Sequence, residues 1–238
     1  MPGRAVRREA PARPIGARTI HAMKLIPGPP TAGFRASIAR TYDGVAALRD
    51  ERGEEDWRWP IAERFAAAMQ AEGRRRLIEI GAGVGYTSRW FADRGFSVVA
   101  TDLSEAQVEL CRAKGLEAHV ADMYDLGFPS ASFEAAWGMN CIHHVPNEAL
   151  PSVLAGIAEV VVPGGPVYLG VWGGVDEEGV PEEDFYQPPR FFSFRSDESL
   201  LEIIGKVFVV EGFETFRPGD EPDDDPLHMQ SLFLRVPG

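Results

Sequence analysis

The sequence predicts an α/β protein built on a doubly wound, seven-stranded and mostly parallel sheet, with an antiparallel last strand pair and an N-terminal helical cap. From about residue 60 onward, short apolar segments alternate with amphipathic ones, and glycines stand at many of the junctions. Such alternation favours parallel strands that are covered by helices on both faces of the sheet. The final two strand-like segments have only a loop between them, so we expect them to pair antiparallel.

Helices are predicted where apolar residues recur at helical spacing between a capping residue and a glycine. Pro60 suits a first helical position, where its missing N–H is not needed. Ser104 begins the segment Ser-Glu-Ala-Gln, a capping box with Gln107 at the third helical position. The predicted helices cover residues 60–73, 87–93, 104–115, 147–161 and 196–205.

Strands are predicted in short segments that are apolar or that alternate between apolar and polar residues. The longest apolar stretch, residues 153–175, contains Glu159 and a Pro-Gly-Gly turn, so it is predicted to be a helix, a turn and a strand rather than a membrane span. The predicted strands cover residues 77–80, 96–101, 116–120, 133–137, 165–172, 207–216 and 229–236.

The length of 238 residues and the hydrophobic fraction of 45% predict one globular domain with additions to its core. Residues 1–23 are rich in Arg and Pro and lack the apolar run of a signal peptide, so we expect a flexible basic tail. The domain is predicted at 24–238, with a cap at 24–60, a cofactor-binding core at 75–172, an insertion at 173–195 and a C-terminal helix and strand pair at 196–238.

Charge and cysteine content narrow the function classes. The net charge is −12, and residues 1–24 hold six basic groups against one acid, so the remaining chain carries −17. An acidic body repels phosphate backbones, which disfavours a nucleic-acid substrate. Cys111 and Cys141 form no CxxC motif or disulfide framework, so a reducing cytoplasm is the expected compartment.

Residues 79–87 read Glu-Ile-Gly-Ala-Gly-Val-Gly-Tyr-Thr, directly after the first strand of the predicted alternation and at the start of a helix. Glycines let a backbone turn sharply and approach a ligand, and the free N–H groups at a helix start favour an anion. A dinucleotide fingerprint needs glycine at its sixth position, where this sequence has Tyr86. The loop therefore favours a smaller anion, such as an amino-acid carboxylate, over a pyrophosphate.

Acidic residues end the next two predicted strands. Asp102 lies 17 residues after Gly85, where a carboxylate accepts hydrogen bonds from ribose hydroxyls. Asp122 ends the following strand, where a carboxylate suits the exocyclic amine of a purine, and Met123 suits the face of the base. A structural turn with two surface carboxylates is the alternative, but the order of all three features along consecutive strands favours one nucleoside site.

In this combination the chain resembles the class I S-adenosylmethionine-dependent methyltransferase family. The likeness rests on the glycine loop 79–85, on Asp102, on Asp122 with Met123, and on the Val-Pro-Gly-Gly segment 162–165, and it spans about residues 75–236. The resemblance implies a Rossmann-like fold and S-adenosylmethionine as the cofactor, with S-adenosylhomocysteine as its product.

The resemblance also implies roles for single residues. The glycine loop would hold the methionine part of the cofactor with the help of Glu79. Asp102 would bind the ribose, and Asp122 with the backbone of Met123 would bind the adenine. Asn140 would lie near the sulfonium. The implied cofactor-binding residues are Tyr42, Glu79, Gly81, Ala82, Gly83, Gly85, Asp102, Leu103, Asp122, Met123 and Asn140.

Three residues are candidates for closing the site or for catalysis. Tyr42 matches a tyrosine with which members of the family often close over the cofactor. His143 and His144 follow the fourth strand of the predicted core and are candidate bases, needed only if the acceptor is a neutral hydroxyl. Alternatively, they orient backbone or substrate. Adjacent histidines diverge in direction, and no Cys cluster accompanies them, so no metal is predicted.

Aromatic and basic side chains of the cap and the insertion are candidate contacts for the methyl acceptor. Arginines there would position an anionic acceptor, whereas packing against the sheet edge explains the same residues equally well. The candidates are Arg40, Trp57, Trp59, Arg190 and Arg195.

The predicted function is methyl transfer from S-adenosylmethionine to a small-molecule or short-peptide acceptor in secondary metabolism. Transfer to oxygen is favoured over transfer to nitrogen, with a carboxylate as one acceptor that needs no base. A nicotinamide-dependent oxidoreductase and a non-catalytic cofactor-binding module are the alternatives. We expect no nucleic-acid partner and no membrane association, and either a monomer or a homodimer.

Overall fold

The computed structural model describes residues 24–218 and 226–238 of the chain, so the predicted flexible tail, residues 1–23, lies outside the described residues. The helices are α1 (Phe34–Arg52), α2 (Arg58–Ala71), α3 (Tyr86–Ala92), α4 (Glu105–Ala113), α5 (Leu150–Val160) and α6 (Asp197–Ile204). The strands are β1 (Leu25–Pro27), β2 (Arg76–Ile80), β3 (Ser97–Asp102), β4 (Glu117–Val120), β5 (Ala135–Met139), β6 (Pro166–Gly173), β7 (Glu177–Pro181), β8 (Phe192–Phe194), β9 (Val209–Phe216) and β10 (His228–Arg235).

The main sheet has seven strands in the order β4-β3-β2-β5-β6-β10-β9. Strands β2 to β6 pair in parallel, and β10 lies antiparallel between β6 and β9. The predicted doubly wound sheet with an antiparallel last pair is therefore confirmed. The strand order changes direction between β2 and β5, which leaves a crevice at the carboxyl ends of these strands.

Helices cover the sheet on two faces because its strands alternate their side chains. On β2, Ile78 and Ile80 pack in a cluster with residues of α5 and α6, such as Leu154 and Leu200. Leu77, which precedes Ile78 and has the opposite orientation, packs in a second cluster with residues of α2 and α3, including Phe65. Both layers hold the ends of the parallel strands in fixed positions.

A second, three-stranded antiparallel sheet joins the cap and the insertion in the order β1-β7-β8. The predicted helical cap is present as α1, but strand β1 of the cap and strands β7 and β8 of the insertion, which was predicted to be a loop, were not predicted. Strands β1 and β8 have three residues each, which is too short for a periodic pattern. Strand β7, the partner of β1, lies more than 100 residues away along the chain, so local sequence patterns carry no signal for this pairing.

Element boundaries follow the predicted capping signals closely. The Ser104 hydroxyl accepts a hydrogen bond from the Gln107 N–H at 3.2 Å and begins α4, as predicted. Helix α2 begins at Arg58, so Pro60 is its third residue rather than its first. Proline is tolerated there because the first turn of a helix does not use its N–H groups.

Candidate active site

A cavity of about 550 Å³ lies at the carboxyl ends of β2, β3 and β5, where the strand order changes direction. It brings together most of the predicted cofactor residues, both histidines and one of the predicted acceptor contacts. The predicted residues that line it are Tyr42, Glu79, Gly81, Ala82, Gly83, Asp102, Leu103, Asp122, Met123, Asn140, His143, His144 and Arg190.

The loop between β2 and α3 needs glycine at the positions that face the cavity. Gly81 and Gly83 have φ angles of 66° and 58°, in the left-handed region that other residues rarely adopt. A Cβ atom on Gly81 would lie 2.6 Å from the Cβ atom of Cys141, and one on Gly83 would lie 3.0 Å from Oε1 of Gln107. The sequence therefore folds into a loop whose backbone is exposed to a ligand.

Asp102 connects this loop to the end of β3. Its Oδ2 atom accepts the Gly83 N–H at 2.8 Å, and its Oδ1 atom accepts the Ser104 N–H at 2.9 Å. Burial raises the pKa of the Asp102 carboxyl, and both backbone hydrogen bonds oppose that shift. The carboxylate thus fixes the loop and still lines the cavity.

Glu79 is a buried acid at the end of β2, beneath the glycine loop. Its Oε2 atom accepts a short hydrogen bond from the hydroxyl of Ser88 on α3. Burial raises the pKa of Glu79 to about 8, against the opposing effect of that hydrogen bond. The side chain therefore provides a proton-binding group that a cationic ligand would ionise.

Asp122 lies at the other end of the cavity and is partly neutralised. Its Oδ2 atom accepts a hydrogen bond from Nη1 of Arg35 at 2.6 Å, and its Oδ1 atom accepts the Tyr124 N–H at 3.1 Å. The guanidinium of Arg35 also lies over the Tyr124 ring, 4.6 Å from its centre. Helix α1 therefore reaches across to the end of β4 and covers this part of the cavity.

His143 and His144 form a buried pair beside Tyr42. Nδ1 of His144 lies 2.7 Å from the carbonyl oxygen of Phe191, and its Nε2 lies 2.8 Å from the Tyr42 hydroxyl and 3.2 Å from Nε2 of His143. Burial lowers the pKa of His144 to about 3 and that of His143 well below its usual value, and the positive charge of Arg190 lowers both further. Both rings are therefore neutral at physiological pH.

Five residues that line the cavity each have one buried polar atom with neither a hydrogen-bond nor an ion-pair partner among the described residues. A buried polar atom without a partner costs about 1–3 kcal/mol, so such a group of atoms indicates a ligand. The five atoms are Nε of Arg49, Oε1 of Gln107, the hydroxyl of Tyr124, Oδ1 of Asn140 and Nδ1 of His143.

Known proteins share both the sequence pattern and the fold. A family model described as a methyltransferase domain matches residues 77–165. The 27-O-demethylrifamycin SV methyltransferase of Amycolatopsis mediterranei is 30% identical over 196 residues, which cover 72% of this chain and 66% of that protein. The ubiquinone biosynthesis O-methyltransferase of Hahella chejuensis is 35% identical over 117 residues, which cover 46% of this chain and 48% of that protein.

The chain contains a methyltransferase domain at residues 77–165, and it is similar to class I S-adenosylmethionine-dependent methyltransferases. It spans less than two thirds of the length of these two relatives. The fold also matches a solved structure, the 1,6-didemethyltoxoflavin-N1-methyltransferase of Burkholderia thailandensis with 1,6-didemethyltoxoflavin and S-adenosylhomocysteine. That match has a TM-score of 0.64 and 20% identity, and it covers 91% of this chain and 95% of the other.

Several of the predicted site residues lie outside the cavity wall. Gly85 faces α4, because a Cβ atom there would lie 2.7 Å from Sγ of Cys111. Arg40 is exposed on α1, and Trp57 packs edge-on against Phe216. Trp59 stacks on Trp90, with the ring centres 6.0 Å apart. The buried guanidinium of Arg195 donates hydrogen bonds to the carbonyls of Val145 and Ser193.

Three functional candidates of this chain were missed by sequence reasoning: Arg49, Gln107 and Tyr124. Gln107 was predicted only as a capping partner, but its Oε1 is free and lies next to the glycine loop. The sequence did contain a signal for Gln107. It lies in the first turn of α4, and that helix begins just after Asp102, so its side chain is placed near the same site. No local pattern distinguishes Arg49 or Tyr124 from surface residues, since their burial depends on the contact of α1 with the ends of the strands.

The described part of the chain lacks two further features. Within residues 24–218 and 226–238, no group of three or more His, Cys, Asp or Glu side chains is arranged to hold a metal ion. None of the helices in these ranges combines the length and the hydrophobicity that crossing a membrane requires.

Proposed function

We propose that the chain transfers a methyl group from S-adenosylmethionine to a neutral hydroxyl group of a small molecule. The observation that carries the proposal is the convergence of unpartnered buried polar atoms on one cavity beside a glycine loop. Support also comes from the relatives above, which are named as methyltransferases of rifamycin and ubiquinone biosynthesis.

The residues of the cavity fit this cofactor in charge and in shape. The glycine loop leaves space that a Cβ atom would fill, and Glu79 beneath it suits a cationic group. Asp102 and the unpartnered Oε1 of Gln107 provide acceptors for ribose hydroxyls. Asp122 would share its carboxylate between Arg35 and the adenine amine.

When bound, S-adenosylmethionine supplies a methyl group that its sulfonium has already activated. The chain therefore has to align the acceptor, exclude water and receive a proton. Alignment contributes roughly 7–11 kcal/mol to the lowering of such barriers. Asn140 and His143 line the cavity beyond β5, each has one buried polar atom without a partner among the described residues, and His143 is the base we propose.

The part of the cavity near His143 is called the acceptor end below. A neutral hydroxyl group fits it better than a carboxylate does. Of the arginines predicted to hold an anionic acceptor, Arg190 is ion-paired with Asp184 at 2.8 Å, and Arg195 donates to backbone carbonyls. Arg40 is exposed outside the cavity wall. A neutral hydroxyl needs a base, and the neutral imidazole of His143 provides one.

Cofactor binding and methyl transfer are tested in two steps. Titration calorimetry with S-adenosylmethionine, S-adenosylhomocysteine and NAD is expected to show binding of the first two only. Cofactor with a labelled methyl group is then incubated with panels of hydroxyl, amine and carboxylic acid acceptors. Label on hydroxyl oxygen supports the proposal, whereas tight NAD binding or transfer to nitrogen only would overturn it.

Asp102→Ala is expected to weaken binding of S-adenosylhomocysteine by about 1–3 kcal/mol, roughly 5- to 150-fold in affinity. The change removes the proposed ribose contact and the hydrogen bond that fixes Gly83. Calorimetry measures the effect, with Asp93→Ala as the matched control because Asp93 is an exposed acid that pairs with Arg89. Equal affinities of the two variants would remove the ribose role.

Binding of the cofactor is expected to release close to one proton at pH 7. Glu79 has a pKa of about 8 and is therefore mostly protonated in the free chain at that pH. A cation beside it lowers this pKa, so affinity should rise with pH until about pH 8 and fall at lower pH. Calorimetry in two buffers with different ionisation enthalpies measures the protons, and Glu79→Gln should abolish the release.

The proposed compartment is a reducing cytoplasm, because Cys111 and Cys141 are free, buried thiols. Burial raises the pKa of each thiol to about 12, so both remain protonated and unreactive at neutral pH.

A further inference from the structure

We infer that Tyr42 and His144 are positioning residues that hold His143 in one tautomer, with the lone pair of its Nδ1 atom directed into the cavity to accept the proton of the acceptor hydroxyl. The identity of the proton donor rests on the proposed function. The hydrogen-bond arrangement is a property of the chain alone, and it is tested separately.

The first step is the orientation of the His144 ring. Its Nδ1 atom lies 2.7 Å from the carbonyl oxygen of Phe191, and a carbonyl oxygen only accepts hydrogen bonds. Nδ1 of His144 therefore carries a proton. Because the ring is neutral, its Nε2 atom has a lone pair and acts as an acceptor.

The second step passes this assignment to His143. Nε2 of His143 lies 3.2 Å from Nε2 of His144, and two lone pairs would repel each other at that distance. Nε2 of His143 must therefore carry its proton and donate it. In a neutral ring this leaves the lone pair on Nδ1, a buried atom of this cavity-lining residue with no hydrogen-bond partner in the described part of the chain.

Tyr42 completes the arrangement from helix α1. Its hydroxyl lies 2.8 Å from Nε2 of His144 and 3.4 Å from Nη1 of Arg190. A guanidinium only donates, so the tyrosine oxygen accepts from Arg190, and its own O–H shares the single lone pair of His144 Nε2 with the Nε2–H of His143 in a three-centred hydrogen bond. Arg190 is itself held by Asp184, whose two carboxylate oxygens it contacts at 2.8 and 3.0 Å.

Helix α1 is thereby joined to the histidine pair. Next to Tyr42, the hydroxyl of Thr41 donates to the carbonyl oxygen of Pro188 in the insertion, at 2.5 Å. The role implied for Tyr42 by resemblance was closure over the cofactor, whereas its hydroxyl is used by His144. The docking of α1 therefore also orients the base.

The reaction balances in protons and electrons. The acceptor oxygen forms a bond to the methyl carbon, the carbon–sulfur bond breaks, and its electron pair stays on sulfur. The acceptor O–H bond breaks as an N–H bond forms at Nδ1 of His143. The resulting imidazolium keeps its Nε2–H hydrogen bond to His144 and releases one proton to solvent after the product leaves.

The tautomers are measured by nuclear magnetic resonance on the full chain with ¹⁵N-labelled histidine, without cofactor. Nitrogens with a lone pair and nitrogens with a proton have well-separated ¹⁵N resonances. We expect a proton on Nδ1 of His144 and on Nε2 of His143 at pH 7. A proton on Nδ1 of His143 in the unsubstituted chain would contradict the inference.

Two substitutions of His144 separate positioning from packing. His144→Asn retains a donor for the Phe191 carbonyl but loses the acceptor that faces His143, so the Nδ1–H form of His143 should appear. His144→Gln places an amide oxygen near that acceptor and should restore the original tautomer. Tyr168→Phe is the matched control, because it removes a buried hydroxyl whose partner is Ser231, away from the cavity. An unchanged His143 tautomer in His144→Asn would overturn the inference.

The kinetic consequence is tested with phenol, 4-cyanophenol and 4-nitrophenol as probe acceptors. Tyr42→Phe and His144→Asn should each lower kcat for phenol about tenfold with little change in KM, and the loss should shrink as the phenol becomes more acidic. An equal loss for all three phenols would contradict positioning of a base. If the unsubstituted chain methylates none of them, the proposed acceptor class fails, and the tautomer measurement still decides the inference.

Discussion

Gly83→Val is expected to reduce the affinity for S-adenosylmethionine by at least ~100-fold, about 3 kcal/mol or more, while the chain stays folded. Gly83 has a φ angle of 58°, and a Cβ atom there would point toward Oε1 of Gln107 at 3.0 Å. A branched side chain would occupy the surface that the backbone presents to the ligand, and it would also disturb the Gly83 N–H bond to Asp102. Calorimetry with cofactor and thermal unfolding are the two measurements.

Gly115→Val separates the cost of backbone strain from the loss of the site. Gly115 also has a positive φ, of 75°, but nothing lies within 4 Å of a Cβ atom placed there. Both variants should lose stability by about 1–2 kcal/mol from the left-handed backbone. Only Gly83→Val should lose the cofactor, and binding by that variant with normal affinity would place the cofactor elsewhere.

His143→Ala is expected to lower the rate of methyl transfer roughly 100- to 10,000-fold, the usual contribution of a positioned base. Within residues 24–218 and 226–238, the other three ring nitrogens of the pair have partners, and the change removes Nδ1 of His143, which has none. Cofactor affinity should stay within about threefold, because the proposed cofactor contacts lie at the glycine loop and at Asp102. The rate is measured in a single turnover with the acceptor that the labelling screen identifies.

His119→Ala is the control for this prediction. Its side chain is exposed on β4 and lies outside the cavity wall, so both rate and affinity should be unchanged. If His143→Ala retains the full rate with a neutral hydroxyl acceptor, then alignment alone accounts for catalysis. In that case the pair would be a structural feature of the loop after β5.

The main sheet and the cofactor end of the cavity were predictable from neighbouring residues. Apolar segments with glycine stops define strands and helices, and the Ser104 cap is encoded within four residues. The carboxyl ends of parallel strands meet at one edge. Asp102 and the glycine loop therefore had to lie close to each other once the sheet was parallel, and they are joined by a hydrogen bond of 2.8 Å.

The acceptor end was predicted less well because its contacts join distant parts of the chain. The Tyr42 hydroxyl is hydrogen-bonded to His144 and accepts a hydrogen bond from Arg190, and these residues lie 102 and 148 residues away. Whether an arginine is available for a substrate depends on such contacts, and Arg195 is used by backbone carbonyls instead. The candidate list from sequence therefore mixed ligand contacts with packing residues.

Short-range patterning established the succession of strands and helices along the chain, the glycine loop and the acids that follow two strands, since backbone conformation and side-chain periodicity are set by adjacent residues. Folding in three dimensions decided which tautomer of His143 faces the cavity, which arginines are neutralised, and that β1 pairs with β7. Hydrogen bonds and ion pairs form between atoms that are close in space, and only the packing of α1 and of the insertion against the strand ends brings those atoms together.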